Sequence, residues 1–123
     1  MSRVSNSVRL IGNLGQDPET RTLESGNVIA KFSIATSDKY TNKAGETVEQ
    51  TEWHNIVAFG KLAEICGKYL KKGKKVAIEG KLKHRSWDDE ATGQRKYITE
   101  IEARDMEMLS TKSEAQPANG YPV

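Results

Sequence analysis

The chain has 123 residues, of which 36% are hydrophobic and 29% charged, and its formal net charge is +2. This length suits one domain with a single core, and no window approaches the ~20 apolar residues that a membrane helix needs. We therefore expect a cytoplasmic protein with no membrane contact, and a lone Cys66, which cannot form an internal disulfide, suits a reducing compartment.

Charge is distributed unevenly along the chain. Residues 61–85 contain nine Lys and Arg against two Glu, a balance of +7, whereas residues 86–109 contain three basic and seven acidic residues, a balance of -4. The small net charge therefore hides a strong local excess. One part of the domain should present a cationic surface.

Alternating apolar residues predict two strands in the first third of the chain. The first covers residues 7–15, where Val8 and Leu10 alternate with Arg9. The second covers residues 28–35, with an apolar face made of Val28, Ala30, Phe32 and Ile34. The polar stretch at residues 37–50 should be a connection that contains a hairpin turn at residues 42–45.

The stretch TEWHNIVAFGK, residues 51–61, predicts a third strand with large rings on alternate positions. Trp53, Val57 and Phe59 share one side of it. Rings on a strand either pack in the core or lie open to a flat ligand, and the sequence leaves both alternatives open for Trp53 and Phe59.

After Gly60 the apolar period changes to that of a helix, with apolar side chains at Leu62, Ile65, Cys66, Tyr69 and Leu70. We expect Gly73 to end this helix and Cys66 to be a core residue. Alternation returns over residues 76–87 and again from about residue 95 to 109, which predicts two more strands joined by a turn.

Three strands, a helix and two further strands predict an all-β domain with an OB-fold. This fold is a five-stranded Greek-key barrel, here with one helix between strands 3 and 4. The domain should occupy residues 1–109. Residues 110–123 contain two prolines and few apolar side chains, so we expect a short disordered C-terminal tail.

The fourth predicted strand places cations and a ring on one side, at Lys81, Lys83, Arg85 and Trp87, while Ile78 and Leu82 should face the core. Because unpaired Lys and Arg are rarely buried, we expect Trp87 to be at least half exposed. Single-stranded nucleic acid has a charged backbone and flat bases. Rings beside cations are therefore typical of a surface that holds it without reading its sequence.

Other polar residues can be explained either as solvated surface or as part of a functional site. The lysines of KYLKKGKK, residues 68–75, either form a solvated helix face or contact phosphates. His54 and His84 belong to no cluster with metal-ligand spacing, so no metal is expected. The acidic turn at residues 88–90 should be solvated, and a nuclease site there is the remaining enzymatic alternative.

Several blocks occur in order between residue 8 and about residue 109: VRLIGNLGQDPETR, FSIATSDKY, TEWHNIVAFGKLAE, KYLKKG and IEGKLKHRSW. In these blocks the chain resembles the bacterial-type single-stranded DNA-binding proteins, the SSB family. The resemblance implies an OB-fold homotetramer that wraps single-stranded DNA during replication, recombination and repair. It also implies a nucleoid-associated protein with no catalytic activity and no cofactor.

Matching positions imply roles for individual residues. Base stacking is implied for Tyr40, Trp53, Phe59 and Trp87, and contacts to the DNA backbone for Arg21, Lys43, Lys61, Lys72, Lys83 and Arg85. Tyr40 is a smaller ring than the tryptophan of many members, and Asn55 stands where some have arginine. The resemblance places Val8, Leu10 and His54 at subunit interfaces.

The end of the chain departs from the family pattern. Bacterial members typically finish in an acidic tip ending Ile-Pro-Phe that recruits other DNA-processing proteins, whereas this chain finishes NGYPV. The resemblance thus implies DNA binding and leaves recruitment open. The alternative function is an OB-fold adaptor of the primosome-accessory type, which acts mainly through protein-protein contacts.

Overall fold

The computed structural model describes residues 3–109, so the predicted tail at residues 110–123 lies outside the described residues. A 3-10 helix, Arg3–Asn6, comes first. Six strands and one α-helix follow: β1 (Val8–Leu14), β2 (Glu19–Thr22), β3 (Val28–Thr41), β4 (Thr47–Phe59), α1 (Gly60–Tyr69), β5 (Lys75–Asp88) and β6 (Arg95–Leu109).

Five of the strands close into a barrel. They neighbour one another in the order β1-β5-β6-β4-β3, and the end of β1 returns to β3 through the pairs Asn13↔Ala35 and Leu14↔Ile34. The pairing between β4 and β6 is parallel and the others in the barrel are antiparallel. With α1 between the third and fourth barrel strands, this topology confirms the predicted OB-fold.

Closure of the barrel depends on a close approach of β1 to β3. A side chain at Gly12 would overlap the carbonyl oxygen of Ala35, so this position requires glycine. The end of β1 is also tied to the turn before β5, because the Gly73 N–H donates to the Leu14 carbonyl at 2.9 Å.

Small and branched apolar side chains fill the barrel. The core contains Leu14, Ala30, Phe32, Ile34, Ile56, Ala58, Val76, Ile78, Ile101 and Ala103 from the strands, with Ala63 and Cys66 from α1 and Leu70 just after it. The largest fully buried side chains are Ile34, Ile56, Val76 and Cys66. The inward face predicted for the second strand is therefore correct for most of its residues. In the helix stripe Cys66 and Leu70 are buried, whereas Tyr69 is 48% exposed, so its assignment to the apolar stripe is wrong.

The sequence does not predict β2. Its four residues, ETRT, are all exposed, so no apolar alternation marks the strand. It forms by backbone pairing along β3, from Glu19↔Lys31 to Thr22↔Val28, on the far side of β3 from β4. The sheet therefore has six strands, of which five close the barrel.

The predicted polar connection at residues 37–50 is wrong for most of its length. β3 and β4 stay paired out to Thr41↔Thr47, and their outer parts form a two-stranded ribbon, residues 36–52, named here the β3–β4 ribbon. The predicted turn lies at its tip, where the Gly45 N–H donates to the Asn42 carbonyl at 3.0 Å and Gly45 has φ 84. Apolar alternation does not detect this pairing, because the side chains of the paired residues are mostly polar.

β5 and β6 also extend past the barrel, as the β5–β6 arm (residues 82–100). The register between them shifts at Glu79/Gly80, and Gly80 is the last β5 residue paired with β1. Leu82, which the sequence assigns to the core, is 41% exposed because it lies past the end of the pairing between β1 and β5. Its backbone bonds instead to the Asn6 side chain, which accepts from the Leu82 N–H at 2.8 Å.

The helix ends earlier than predicted. α1 stops at Tyr69, and Leu70 is already extended, with its N–H donating to the Cys66 carbonyl at 3.0 Å. Gly73, with φ 89, forms the turn that leads into β5 rather than the helix end. In the part of the chain that the structure describes, no helix has the length and apolar character to cross a bilayer.

Removing part of a core side chain tests the assigned interior. Ile34→Ala should lower the free energy of unfolding by about 2–5 kcal/mol, because it leaves a cavity in the barrel. Val48→Ala, in the β3–β4 ribbon, should cost less than about 1 kcal/mol. Urea denaturation followed by circular dichroism, at equal protein concentration, measures both. Equal losses would contradict this placement of the core.

The thiol of Cys66 offers a second test. Burial raises its pKa from the ordinary value of 9.0 to about 11. Since the thiolate is the reactive form, a disulfide reagent such as DTNB at pH 8 should label the native protein slowly and the urea-unfolded protein rapidly. Equally fast labelling of both states would show that this side chain is accessible.

Candidate nucleic-acid interface

One continuous outer surface crosses the sheet from β2 to β5. Directly paired residues point to the same side of a sheet, and pairs link Lys31 to Val57, Val57 to Glu102 and Glu102 to Lys81. This surface consists of the odd-numbered residues of β2, β3 and β4, those of β5 from Lys81 onward, and the even-numbered residues of β6 up to Glu102. It is named here the aromatic face.

Three predicted stacking rings stand on the aromatic face. The exposed fractions are 60% for Trp53, 47% for Phe59 and 45% for Trp87. The structure thus places Trp53 and Phe59 outside the core, because Ile56 and Ala58 take the inward positions of the same strand. Trp87 is exposed as expected, at slightly less than the predicted half.

The indole of Trp53 lies against the backbone of Gly15. A Cβ at Gly15 would overlap the Cζ3 atom of this ring and lie 2.8 Å from its Cη2 atom. The Gly15 N–H donates to the Ser33 carbonyl at 3.0 Å, which fixes the backbone beneath the ring. Trp53 is therefore supported on one side while most of its surface stays open.

Cations from three strands meet Phe59 in a recess of about 270 Å³. Its lining includes Arg21, Lys31, Lys83, Arg85, Glu100 and Glu102. Three of the predicted cations, from β2 and β5, are thereby brought to one place. An adjoining recess of about 220 Å³ adds the polar side chains of Ser33 and Asn55.

Arg85 is held by a carboxylate from the neighbouring strand. Its Nε donates to Oε1 of Glu100 at 2.9 Å and its Nη2 donates to Oε2 at 3.0 Å. Glu100, which is 7% exposed, is the one buried charged residue within residues 5–109. Its hydrogen bond and its charge raise the pKa of Arg85. The guanidinium carbon lies 6.0 Å from the centroid of the Trp87 ring, within cation–π range.

The other cations of the recess differ in their partners. Lys83 Nζ lies 3.7 Å from Glu102 Oε1, a partly exposed pair of low energy. Arg21 and Lys31 have no ion-pair partner within residues 3–109. Lys31 is a central residue of the face that the sequence does not assign. The signal that would find it is the register of β3 and β4, which sets Lys31 opposite Val57.

Two predicted residues lie away from the aromatic face, in the β3–β4 ribbon. Tyr40 is exposed, but alternation from the inward-facing Ile34 puts it on the opposite side of β3 from Lys31. Lys43 lies exposed in the ribbon's turn. The structure therefore does not group Tyr40 with Trp53.

Two further predicted cations flank the face. Lys61 is exposed in the first turn of α1, where Phe59 makes no side-chain cap and no acidic residue is present, so the positive end of the helix stays unmatched. Lys72 lies in the loop after α1, and its N–H donates to Asp17 Oδ1 at 2.8 Å.

The residues predicted at subunit interfaces lie on the barrel, with His54 next to the base of the ribbon. Val8 and Leu10 are half-buried and pack against the core, and the exposed large apolar side chain of β1 is Ile11. His54 Nε2 lies 2.9 Å from Thr36 Oγ1. Their place at an interface stays a prediction.

The acidic turn shows ordinary structural contacts. Asp88 Oδ1 accepts from Arg95 Nη1 at 3.1 Å, and Asp89 Oδ1 accepts the Ala91 N–H at 2.8 Å. Across the described range, 3–109, no group of three or more His, Cys, Asp or Glu side chains is placed to hold a metal ion.

Comparison with known proteins gives consistent matches. The sequence model of the "Single-strand binding protein family" matches residues 5–109. A curated relative, "Single-stranded DNA-binding protein 1" of Chlorobaculum tepidum, is 54% identical over 112 residues, which cover 91% of this chain and 69% of the relative.

Two solved structures are similar in fold. One is a Plasmodium falciparum SSB complex with ssDNA, at a TM-score of 0.78 and 34% identity, covering 85% of this chain and 95% of that one. The other is a deletion mutant of the single-stranded DNA-binding protein of Thermus aquaticus, at a TM-score of 0.77 and 29% identity. That match covers 89% of this chain and 52% of the Thermus chain.

The contact between Trp53 and Gly15 can be tested in a Trp87→Phe background, where Trp53 is the one remaining tryptophan. Gly15→Ala should displace the indole and change its emission and its quenching by acrylamide. Because the clash involves the outer atoms of an exposed ring, the loss of stability should stay within about 1 kcal/mol. Gln16→Ala serves as the neighbouring control. Unchanged emission and quenching in Gly15→Ala would contradict the contact.

Proposed function

The chain belongs to the single-strand binding protein family, and on that premise we propose that it binds single-stranded DNA without sequence preference during replication, recombination and repair. Its family is one of DNA-binding proteins, so we infer binding without catalysis. The expected place of action is the cytoplasm, on DNA of the nucleoid.

The observation that carries the proposal is the exposure of three rings beside a cationic recess. Trp53, Phe59 and Trp87 share one face with Lys31 and Arg21. Each stacked base contributes about 1–3 kcal/mol, and contacts between cations and phosphates add a term that weakens as salt rises. Neither term depends on base identity, so together they give binding without a recognition code.

The remaining predicted DNA-binding residues lie outside the recess, and they fit a bound DNA strand that extends beyond it. Lys61 lies in the first turn of α1, two residues after Phe59. Lys72 is bonded to Asp17, two residues from the Gly15 that supports Trp53. Tyr40 and Lys43 lie further out, on the β3–β4 ribbon. We assign them contacts to a strand that continues beyond the aromatic face.

We further propose that the protein assembles as a homotetramer. β1 pairs with β5 from Val8 to Asn13 but meets β3 only at its last two residues, which leaves one edge of β1 open within residues 3–109. Pairing with a second copy would remove this edge. Ile11 is 57% exposed beside a shallow recess of about 480 Å³ on the outer surface of β1, β5 and β6. Burial of that apolar surface would join two dimers.

Replacing the rings one at a time tests the DNA-binding face. Trp53→Ala and Trp87→Ala should each weaken binding to labelled oligo-dT about 5- to 150-fold, the equivalent of one lost stacking contact. Tyr97→Ala is the control, because Tyr97 is 75% exposed on the opposite side of the β5–β6 arm. Fluorescence anisotropy of the DNA gives the affinities. Wild-type affinity in both tryptophan variants would contradict the proposal.

Assembly is tested by light scattering of the protein with and without poly-dT. The proposal predicts a mass four times that of the 13.7 kDa chain, and a stoichiometric complex with DNA. A dimer that binds poly-dT weakly would instead support the adaptor of the primosome-accessory type.

A further inference from the structure

Resting on the proposed function, we propose that the aromatic face has a phosphate side and a base side. Phosphates would follow Arg21 and Lys31 on β2 and β3. Arg85 on β5 is then a positioning residue that Glu100 fixes beneath Trp87, and not a phosphate contact.

The distribution of carboxylates separates the two sides. On β5, Arg85 is bonded to Glu100 and Lys83 lies 3.7 Å from Glu102. On β2 and β3, Arg21 and Lys31 have no ion pair within the described chain. Glu19 on β2 is paired in register with Lys31, but it forms no ion pair within the described chain. An approaching phosphate therefore meets cations without an ion pair on one side and ion-paired cations on the other.

Arg85 has little free charge to offer. Its two short hydrogen bonds to Glu100 form a side-by-side pair, so a phosphate near the guanidinium would also lie near a carboxylate. Such a pair is close to neutral for a distant anion and releases few counterions on DNA binding. A guanidinium has five N–H donors, and the pair with Glu100 uses two of them. The others can donate to the edge of a base, and the strength of such a bond depends little on salt concentration.

The same pair is well built for positioning. Glu100 is buried, so its carboxylate is fixed, and the bidentate contact fixes the plane of the guanidinium. The Trp87 ring stands 6.0 Å from that plane's central carbon. The ring is thereby held in place before a base arrives, which lowers the entropy cost of stacking.

Arg21 and Lys31 lie where a backbone could pass. Both line the recess of about 270 Å³ that contains Phe59 and a neighbouring one of about 360 Å³ on β2 and β3. A strand whose phosphates followed these two cations would direct its bases across β4 toward Phe59 and Trp87. A DNA strand on the aromatic face would therefore have its backbone on the side of β2 and β3 and its bases on the side of β5.

The dependence of affinity on salt distinguishes these roles. Oligo-dT of about 8 nucleotides, within the span of one OB-fold, is titrated at several NaCl concentrations. Lys31→Met should make the slope of log K against log salt shallower by about 0.7, the loss of one phosphate contact on single strands. Lys68→Met on α1 is the matched control and should leave the slope unchanged.

The charge-neutral double variant Arg85→Met/Glu100→Gln should keep the wild-type slope and lower affinity about two- to fivefold at every salt concentration, through loss of the support for Trp87. Glu100→Gln alone should make the slope steeper, because it releases the charge of Arg85. In a Trp53→Phe background without DNA, removal of the pair should also shift the emission of Trp87.

Each outcome has a definite reading. If the wild-type protein fails to bind oligo-dT, the proposed function itself is wrong. If it binds with normal salt dependence, but the double variant loses about 0.7 of slope and Lys31→Met loses none, only the assignment of sides is overturned. Should the double variant fail to fold by circular dichroism, the slope of Glu100→Gln decides, and an unchanged or shallower slope would count against the inference.

Discussion

The narrow interior of the barrel is the constraint on which the rest of the structure depends. β1 and β3 meet so closely at Gly12 that a side chain there would overlap the backbone of Ala35, and the enclosed space is filled by residues such as Ala30, Ile34 and Ala58. An indole has no room inside. Since neighbouring residues on a strand face opposite ways, inward Ile56 and Ala58 oblige Trp53 and Phe59 to stand outside. Exposure of the rings is thus a consequence of closure.

Exposed rings bind flat ligands well only if they are held in place, and both tryptophans here have a support. Trp53 lies on the backbone of Gly15, and Trp87 stands beside the Arg85–Glu100 pair. Phe59 lies at the junction of β4 and α1, in the lining of the cationic recess. Support of Trp87 explains why the buried carboxylate of Glu100 lies in the middle of a cationic face. It orders the Arg85 side chain, although it neutralises part of the positive charge.

The sequence predicts the features that depend on apolar alternation. The strand containing Ile34, the helix stripe with Cys66 and the order of elements follow from periods of two and 3.6 residues. It does not predict β2 or the outer parts of β3 and β4. These strands are polar and form by backbone pairing with a neighbouring strand, which leaves no apolar alternation in the sequence. Leu82 keeps the alternation of β5, since it pairs with Ile101, but it is exposed because β5 extends past its last pair with β1, which the sequence of β5 does not show. Lys31 and the bond between Arg85 and Glu100 depend on strand register, which one strand's sequence does not contain.

Photo-cross-linking of unmodified oligo-dT, followed by mass spectrometry of the peptides, tests the central claim most directly, since it reports which side chains touch bases. The account predicts cross-links at Trp53, Phe59 and Trp87, on peptides from β4 and the β5–β6 arm. Cross-links confined to Tyr97, or to the outer surface of β1 around Ile11, would place the DNA on another face and contradict it.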